Sequence, residues 1–238
     1  MSGDLVLIFL VFFPMIGGLI SYALGRKSKD LRNYFAIFVC SLEFFIIILQ
    51  SNHLFEIKDT TAVWYEFAGL GLNFGIDGFR YIYGAIAAFM WWGTSMFSVE
   101  YFKHYRNRNR YYMFMLITLG ATLGVLFSTD LITTFIMFEV MSFASYVMVV
   151  HDEEVKTKKA ADTYIAVSLL GGMIMLIGIM LVNHQLGTTN FIRMREILQT
   201  FQGDRDIIYA AAVLMMVGFG SKAGMFPIHI WLPNAHPS

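Results

Sequence analysis

The chain has 238 residues, of which 57% are hydrophobic and 14% charged, with 17 Lys plus Arg balancing 17 Asp plus Glu. A soluble domain of this size is nearer one quarter charged, and here the apolar residues run in blocks of about 20, the length that crosses a hydrocarbon core about 30 Å thick. Composition therefore excludes an ordinary soluble domain and predicts an all-α polytopic membrane protein. Zero net charge gives no bulk attraction for nucleic acid. The single cysteine, Cys40, excludes an internal disulfide and an iron–sulfur cluster ligated by this chain's cysteines.

The first apolar block, Leu5 to Leu24, contains Pro14 and Gly17-Gly18, and its basic cluster follows it. A secretory signal carries its basic residues ahead of the apolar region, so this block reads as a retained helix over 5–25. Further helices are predicted over 33–51, 78–99, 111–128, 131–150, 163–184 and 207–232, the last interrupted. The total is about seven spans, the seventh broken. Residues 52–77 set Gly69, Gly71 and Gly75 among aromatic and β-branched residues, the pattern of an extramembrane hairpin. After the sixth span, Thr189 or Asn190 caps a short helix with Phe191, Met194, Leu198 and Phe201 on one face. Arg193 and Glu196 lie opposite, as in a helix resting on the membrane surface. Gly120–Gly124, Gly220–Gly224 and Gly171-Gly172 predict close helix packing.

Orientation follows from the connecting loops. The first, third and fifth hold Arg26, Lys27, Lys29 and Arg32, then Lys103, Arg106, Arg108 and Arg110, then Lys156, Lys158 and Lys159. The other side has Lys58, Arg80, Arg193, Arg195 and Arg205, so eleven basic residues face five. Basic loops stay in the cytoplasm, which places the N-terminus outside and predicts a multi-pass protein of the cell's inner membrane.

A charge at bilayer depth costs a few kcal/mol and usually faces protein or water for a purpose. Three positions qualify. Glu139 stands in an apolar run about 12 Å into the fifth helix, near the midplane, with Ser142 and Tyr146 one and two turns later on the same face. Lys222 would lie about 22 Å along an unbroken seventh helix, but Gly218, Gly220, Gly224 and Pro227 surround it. Pro227 removes a donor and clashes one turn back, and broken helices at this depth line hydrated cavities. Glu43 lies about 13 Å into the second helix; it faces a neighbouring subunit, lines a channel, or is a structural carboxyl. His229 and His236 flank Trp231-Leu-Pro233, where imidazoles can relay protons, whereas His151 and His184 read as interfacial. The chain has no HExxH, Walker loop or dinucleotide fingerprint, and no nucleophile–base grouping. No metal site, cofactor or catalytic redox group is expected within it.

Phe138-Glu139 with Met141-Ser-Phe-Ala-Ser-Tyr146, and about 80 residues later the run Ser221-Lys222-Ala-Gly-Met-Phe-Pro-Ile-His-Ile-Trp-Leu-Pro-Asn-Ala-His-Pro237, resemble the antiporter-like subunits. These occur in respiratory complex I, in membrane-bound [NiFe] hydrogenases and formate hydrogenlyase, and in multisubunit Na⁺/H⁺ antiporters. Ile76-Asp77-Gly78 before the third helix also fits. The resemblance implies the front half of a fold of about fourteen helices with two inverted five-helix repeats. Residues 1–110 would be flanking helices one to three, with an outside loop at 52–77. Residues 111–238 would be helices four to seven of the first, incomplete repeat. It further implies that Glu139 and Lys222 are the ion-translocating pair of a half-channel, with Gly224 and Pro227 at the helix break. The implied partners are other membrane subunits and a redox arm with [NiFe] or quinone chemistry; either the chain is a fragment or, as preferred, the gene is split and another chain supplies helix eight onward. Asn234 stands where aspartate is common, and Asp162-Thr163 begins the sixth helix where lysine is often found, so the inner path departs from the pattern. The ending His236-Pro237-Ser238 leans toward the hydrogenase branch.

The expected function is thus an H⁺- or Na⁺-translocating subunit of a redox-driven complex, with complex I or a multisubunit antiporter as alternatives. The readings of other classes are a structural scaffold, a retinal protein built on Lys222, and a redox protein binding haem or quinone. The Phe-Pro-Ile-His-Ile-Trp-Leu-Pro run argues against retinal, and His229 lacks a matched histidine for haem ligation.

Overall fold

The computed structural model describes residues 3–51, 60–67, 70–103, 108–151 and 155–235. Among the described residues, seven helices are long and apolar enough to cross a membrane. They are α1 (Gly3–Gly25), α2 (Lys29–Leu49), α3 (Gly78–Tyr101), α4 (Arg108–Phe127), α5 (Leu131–Val149), α6 (Val155–Leu186) and α8 (Arg205–Ala223). The short α7 (Phe191–Thr200) precedes α8, and a 3₁₀ turn (His229–Trp231) and α9 (Leu232–Ala235) follow it. Strands β1 (Thr60–Phe67) and β2 (Leu70–Ile76) form the expected hairpin between α2 and α3. The helices form two compact units, residues 1–128 and 129–238.

In the first unit α4 is the most enclosed span, with Tyr112, Leu116, Leu119, Ala121, Leu123 and Phe127 at 0% exposure. Small residues let α1 approach it. A Cβ on Gly120 would collide with the Val11 carbonyl, and one on Gly18 would lie 2.6 Å from the Met113 carbonyl; at Gly120 the packing reading of the glycine spacing holds. The hairpin is antiparallel, with Thr60 opposite Ile76 and Val63 opposite Asn73. It is not merely an outside loop, because Phe74 is fully buried and meets the Phe12 ring of α1 edge-on at 6.3 Å. Asp77 then caps α3, accepting from the Arg80 N–H at 2.8 Å. The Arg80 guanidinium pairs with Asp77 and also donates to the Ser128 carbonyl.

The second unit is organised around α6. Its core holds Leu131 and Ile132 of α5, Met175, Ile179, Val182 and Leu186 of α6, and Ala211 of α8. Asp130 caps α5 through two 2.9 Å bonds from the Ile132 and Thr133 N–H groups. The α5 entrance is tied to that of α7: Leu131 N–H donates to Thr189 O and Phe191 N–H to Thr129 O. Asn190, and not Thr189, caps α7.

Two sequence expectations shift here. Helix α6 begins at Val155 instead of 163, so Asp162 is an exposed residue inside the helix and not its start. Hydropathy falls before Thr163, yet Thr157, Ala160, Ala161 and Tyr164 keep one face buried while Lys158, Lys159 and Asp162 take the other. Helical periodicity thus continues past the apolar block. At 32 residues α6 is about 48 Å long, well beyond a hydrocarbon core. In α7 the inward face is Phe191, Met194, Ile197 and Phe201, while Leu198 is 41% exposed. The expected stripe was one residue out.

Candidate ion-translocation site

The fifth helix fixes the carboxylate. With Asp130 setting the first turn, Glu139 falls two turns into α5 and Ser142 follows it by three residues. The lysine comes from the opposite direction: Lys222 occupies the last turn of α8, where a cation also meets the negative end of the helix dipole. Its Nζ donates to Glu139 Oε1 at 2.6 Å, to Ser142 Oγ at 2.5 Å and to the Phe138 carbonyl at 3.3 Å. An ammonium has three N–H donors, and all three are used. The Phe138 ring lies under it, 4.7 Å from Nζ to the centroid, a cation–π contact. The lysine side chain is 5% exposed and that of the glutamate 18%.

At 2.6 Å and an effective dielectric of about 20, the attraction is about 6 kcal/mol. Desolvating both charges offsets much of it, but stranding either alone costs about 3–5 kcal/mol. The pair is therefore strongly coupled: whatever neutralises one side changes the hold on the other.

Glycines make room for this arrangement. A Cβ on Gly172 of α6 would strike the Glu139 carboxylate, and one on Gly171 would strike the Ser221 hydroxyl of α8. Sequence read Gly171-Gly172 as packing alone, yet Gly172 is part of the site. Gly220–Gly224 is likewise not a helix-contact motif. Gly224 adopts φ 72°, ψ 35°, the left-handed conformation that suits glycine at a helix end, and the Met225 N–H closes back on the Gly220 carbonyl at 2.8 Å. The helix breaks at Gly224, three residues before Pro227, and resumes at the turn over His229–Trp231. Trp231 then returns to satisfy the break, its indole N–H donating to the freed Ser221 carbonyl at 2.8 Å. Tyr164 of α6 packs edge-on against Trp231 at 4.9 Å and donates its hydroxyl to the Ser142 carbonyl at 3.4 Å. Tyr164 did not stand out in the sequence, and Trp231 did so only within the Ser221–Pro237 run, since an aromatic carries no signal of its partner.

Among the other anticipated residues, Tyr146 is not among the lysine's contacts. His229 sits in the turn after the break, its ring 5.5 Å from that of Phe226, with a buried Nδ1 that has no hydrogen-bond partner among the described residues. His236 lies outside the described residues. Glu43 belongs to the first unit and is 0% exposed, so within that unit it faces neither lipid nor a neighbouring subunit. No group of His, Cys, Asp and Glu among the described residues could hold a metal ion.

The second unit is thus a helical bundle with a lysine–glutamate pair buried beside a helix break. Comparison with known proteins agrees with the resemblance read from the sequence. Residues 128–238, the whole second unit and the residue before it, match the family described as NADH:quinone oxidoreductase/Mrp antiporter, TM. The antiporter subunit mnhD2 of Staphylococcus haemolyticus is 26% identical over 97% of this chain and 46% of its own length. A Na⁺/H⁺ antiporter subunit of Alkalihalophilus pseudofirmus is 24% identical over 93% of this chain and 28% of its own. Hydrogenase-4 component B of Escherichia coli is 27% identical over 73% and 25%. A chain in the structure of the membrane-bound sulfane sulfur reductase, an archaeal respiratory membrane complex, superposes with a TM-score of 0.86 at 19% identity, over 97% of this chain and 47% of that one. The fold is thus that of the antiporter-like subunits, and the chain spans about half or less of the length of these relatives. The relatives are subunits of multi-subunit membrane complexes.

Proposed function

We propose that this chain translocates H⁺ or Na⁺ across the membrane through the Glu139–Lys222 pair, as a membrane subunit of a redox-driven complex of the hydrogenase type. The observation that carries this reading is the buried ammonium, held by a carboxylate and a serine of α5 at the point where α8 breaks. While Glu139 is charged it holds Lys222 as ammonium. A change that neutralises Glu139 or draws it away frees a lysine proton to move toward the turn that carries His229, whose unpartnered Nδ1 can accept it. The relatives are about twice the length of this chain or more, and the groups that complete the half-channel lie on further helices. The N-terminus lies outside in this scheme, and the redox arm uses [NiFe] or quinone chemistry held by partner subunits.

The similarity to the Na⁺/H⁺ antiporter of Alkalihalophilus pseudofirmus supports a second reading, a component of a multisubunit cation/proton antiporter with no redox partner. Inverted vesicles carrying the whole complex separate the two. Redox-driven acidification of the lumen supports the first reading, and a pH gradient dissipated by added Na⁺ without an electron donor supports the second. In either case Glu139→Gln and Lys222→Ala are expected to abolish most ion movement while the complex still assembles. Full flux in both purified variants would refute the role of the pair.

A further inference from the structure

Glu43 is 0% exposed within the first unit, and neither of its carboxyl oxygens has a hydrogen-bond partner among the described residues. An uncompensated carboxylate in such a place is strongly disfavoured, so a carboxyl with no cation beside it among the described residues stays neutral by keeping its proton. Its surroundings are polar on one side only. One turn earlier on α2 is Cys40, whose thiol meets the Ser95 hydroxyl of α3. Ser98, one turn beyond Ser95, donates to the Ser95 carbonyl at 3.0 Å and lies 3.4 Å from the Tyr112 hydroxyl of α4. The Tyr112 ring in turn carries the Arg32 guanidinium, 4.8 Å from its centroid. Ser21 of α1 sits at this same end, since its neighbours Gly17 and Gly25 face Val39 and Arg32, and its buried hydroxyl is also unpartnered. On the other side of Glu43, the next buried positions of α2 and α3 are Ile47 and Ala88. The polar residues therefore run from the Arg32 end of α2 as far as Cys40, one turn short of Glu43.

We infer that Glu43 is a second proton-binding site, a dead-ended well filled through the Tyr112–Ser98–Ser95/Cys40 seam from the Arg32 end of α2. The titratable groups around it are Cys40 on its own helix, Tyr111 and Tyr112 on α4, and Arg32 at the mouth; α3 contributes serines and α1 contributes Ser21. A hydroxyl or thiol can accept a proton on one lone pair while giving up its own; the Ser98 and Ser95 hydroxyls rest on the Ser95 and Trp92 carbonyls, so each passes a proton only by rotating from its carbonyl toward the next hydroxyl or thiol. This site is independent of the Glu139–Lys222 scheme, and its test needs no ion flux, so each can fail alone.

The test is infrared spectroscopy of the intact complex in membranes, following the carbonyl band of protonated carboxyl groups on transfer to deuterated water. A band that disappears in Glu43→Gln but persists in Glu139→Gln is expected. It should shift soon after transfer in the wild type, and several-fold more slowly in Ser98→Ala. Absence of any such band would mean a charged Glu43 and would overturn the proposal. So would a band that exchanges no faster than the buried amides of α2, which would mark a sealed structural acid, or exchange unaffected by Ser98→Ala. If Glu43→Gln fails to assemble, Glu43→Asp, which moves the band instead of deleting it, makes the same assignment.

Discussion

Gly172 has no side chain, yet it decides where Glu139 lies. A methyl group there would occupy the carboxylate's position, so Gly172→Val is expected to push Glu139 off Lys222 and reduce ion movement to the level of Glu139→Gln. Overpacking at a tight contact typically costs about 1–3 kcal/mol in addition. Gly93→Ala makes the matched control, because nothing lies within 4 Å of an added Cβ at that position. Transport in vesicles and the thermal midpoint of the purified complex, measured together, distinguish a displaced carboxylate from a general packing defect. At this scale sequence is uneven. Glu139, Lys222 and Glu43 were legible because a charge in an apolar block has to be explained. Gly172 was not, since two glycines announce only that something comes close, and not whether it is a backbone or a carboxylate. Arg32 was misread for a related reason. It counted as a loop cation, whereas it is 1% exposed, donates to Asn33 Oδ1 at 2.7 and 3.1 Å, bonds Asn109 and covers Tyr112.

Among the helices, what holds the site is the way two of them end. Asp130 fixes the start of α5 and therefore the level of Glu139, and its second oxygen also accepts the Thr133 hydroxyl at 2.6 Å. Asp130→Ala should destabilise the protein by about 1–2 kcal/mol, the range for a lost N-cap, read as a lower thermal midpoint. Gly224 and Trp231 fix the end of α8 and therefore the level of Lys222. Trp231→Phe keeps the ring beside Tyr164 but removes the donor to Ser221, at an expected cost of about 1 kcal/mol for one hydrogen bond. It should leave Glu139–Lys222 formed and slow transport less than Lys222→Ala does; equal loss would mean that the closed turn itself is part of the path. The break was predictable because Gly224 and Pro227 each act on the backbone alone. The α6 start and the α7 face were not, because each depends on which of two adjacent residues tertiary packing takes inward.

The match of residues 128–238 to the antiporter family falls on the unit that contains the pair, while the seam to Glu43 lies in the other. The direction in which either moves a proton depends on how the chain sits in the membrane, and here the loop charges are the guide. Removing the buried Arg32 from the count leaves ten basic residues against five, still the asymmetry that holds loops in the cytoplasm. Lys27, between α1 and α2, and Gln202, between α7 and α8, are both exposed and fall on opposite sides under the predicted topology. Single cysteines at these positions can be probed with a membrane-impermeant maleimide over a quiet background, because Cys40 is fully buried. Gln202→Cys should react in intact spheroplasts and Lys27→Cys only in inside-out vesicles. The reverse pattern would invert the molecule. The Arg32 end of the Glu43 seam would then open outward instead of toward the cytoplasm, and Glu43 would take its protons from the other side of the membrane.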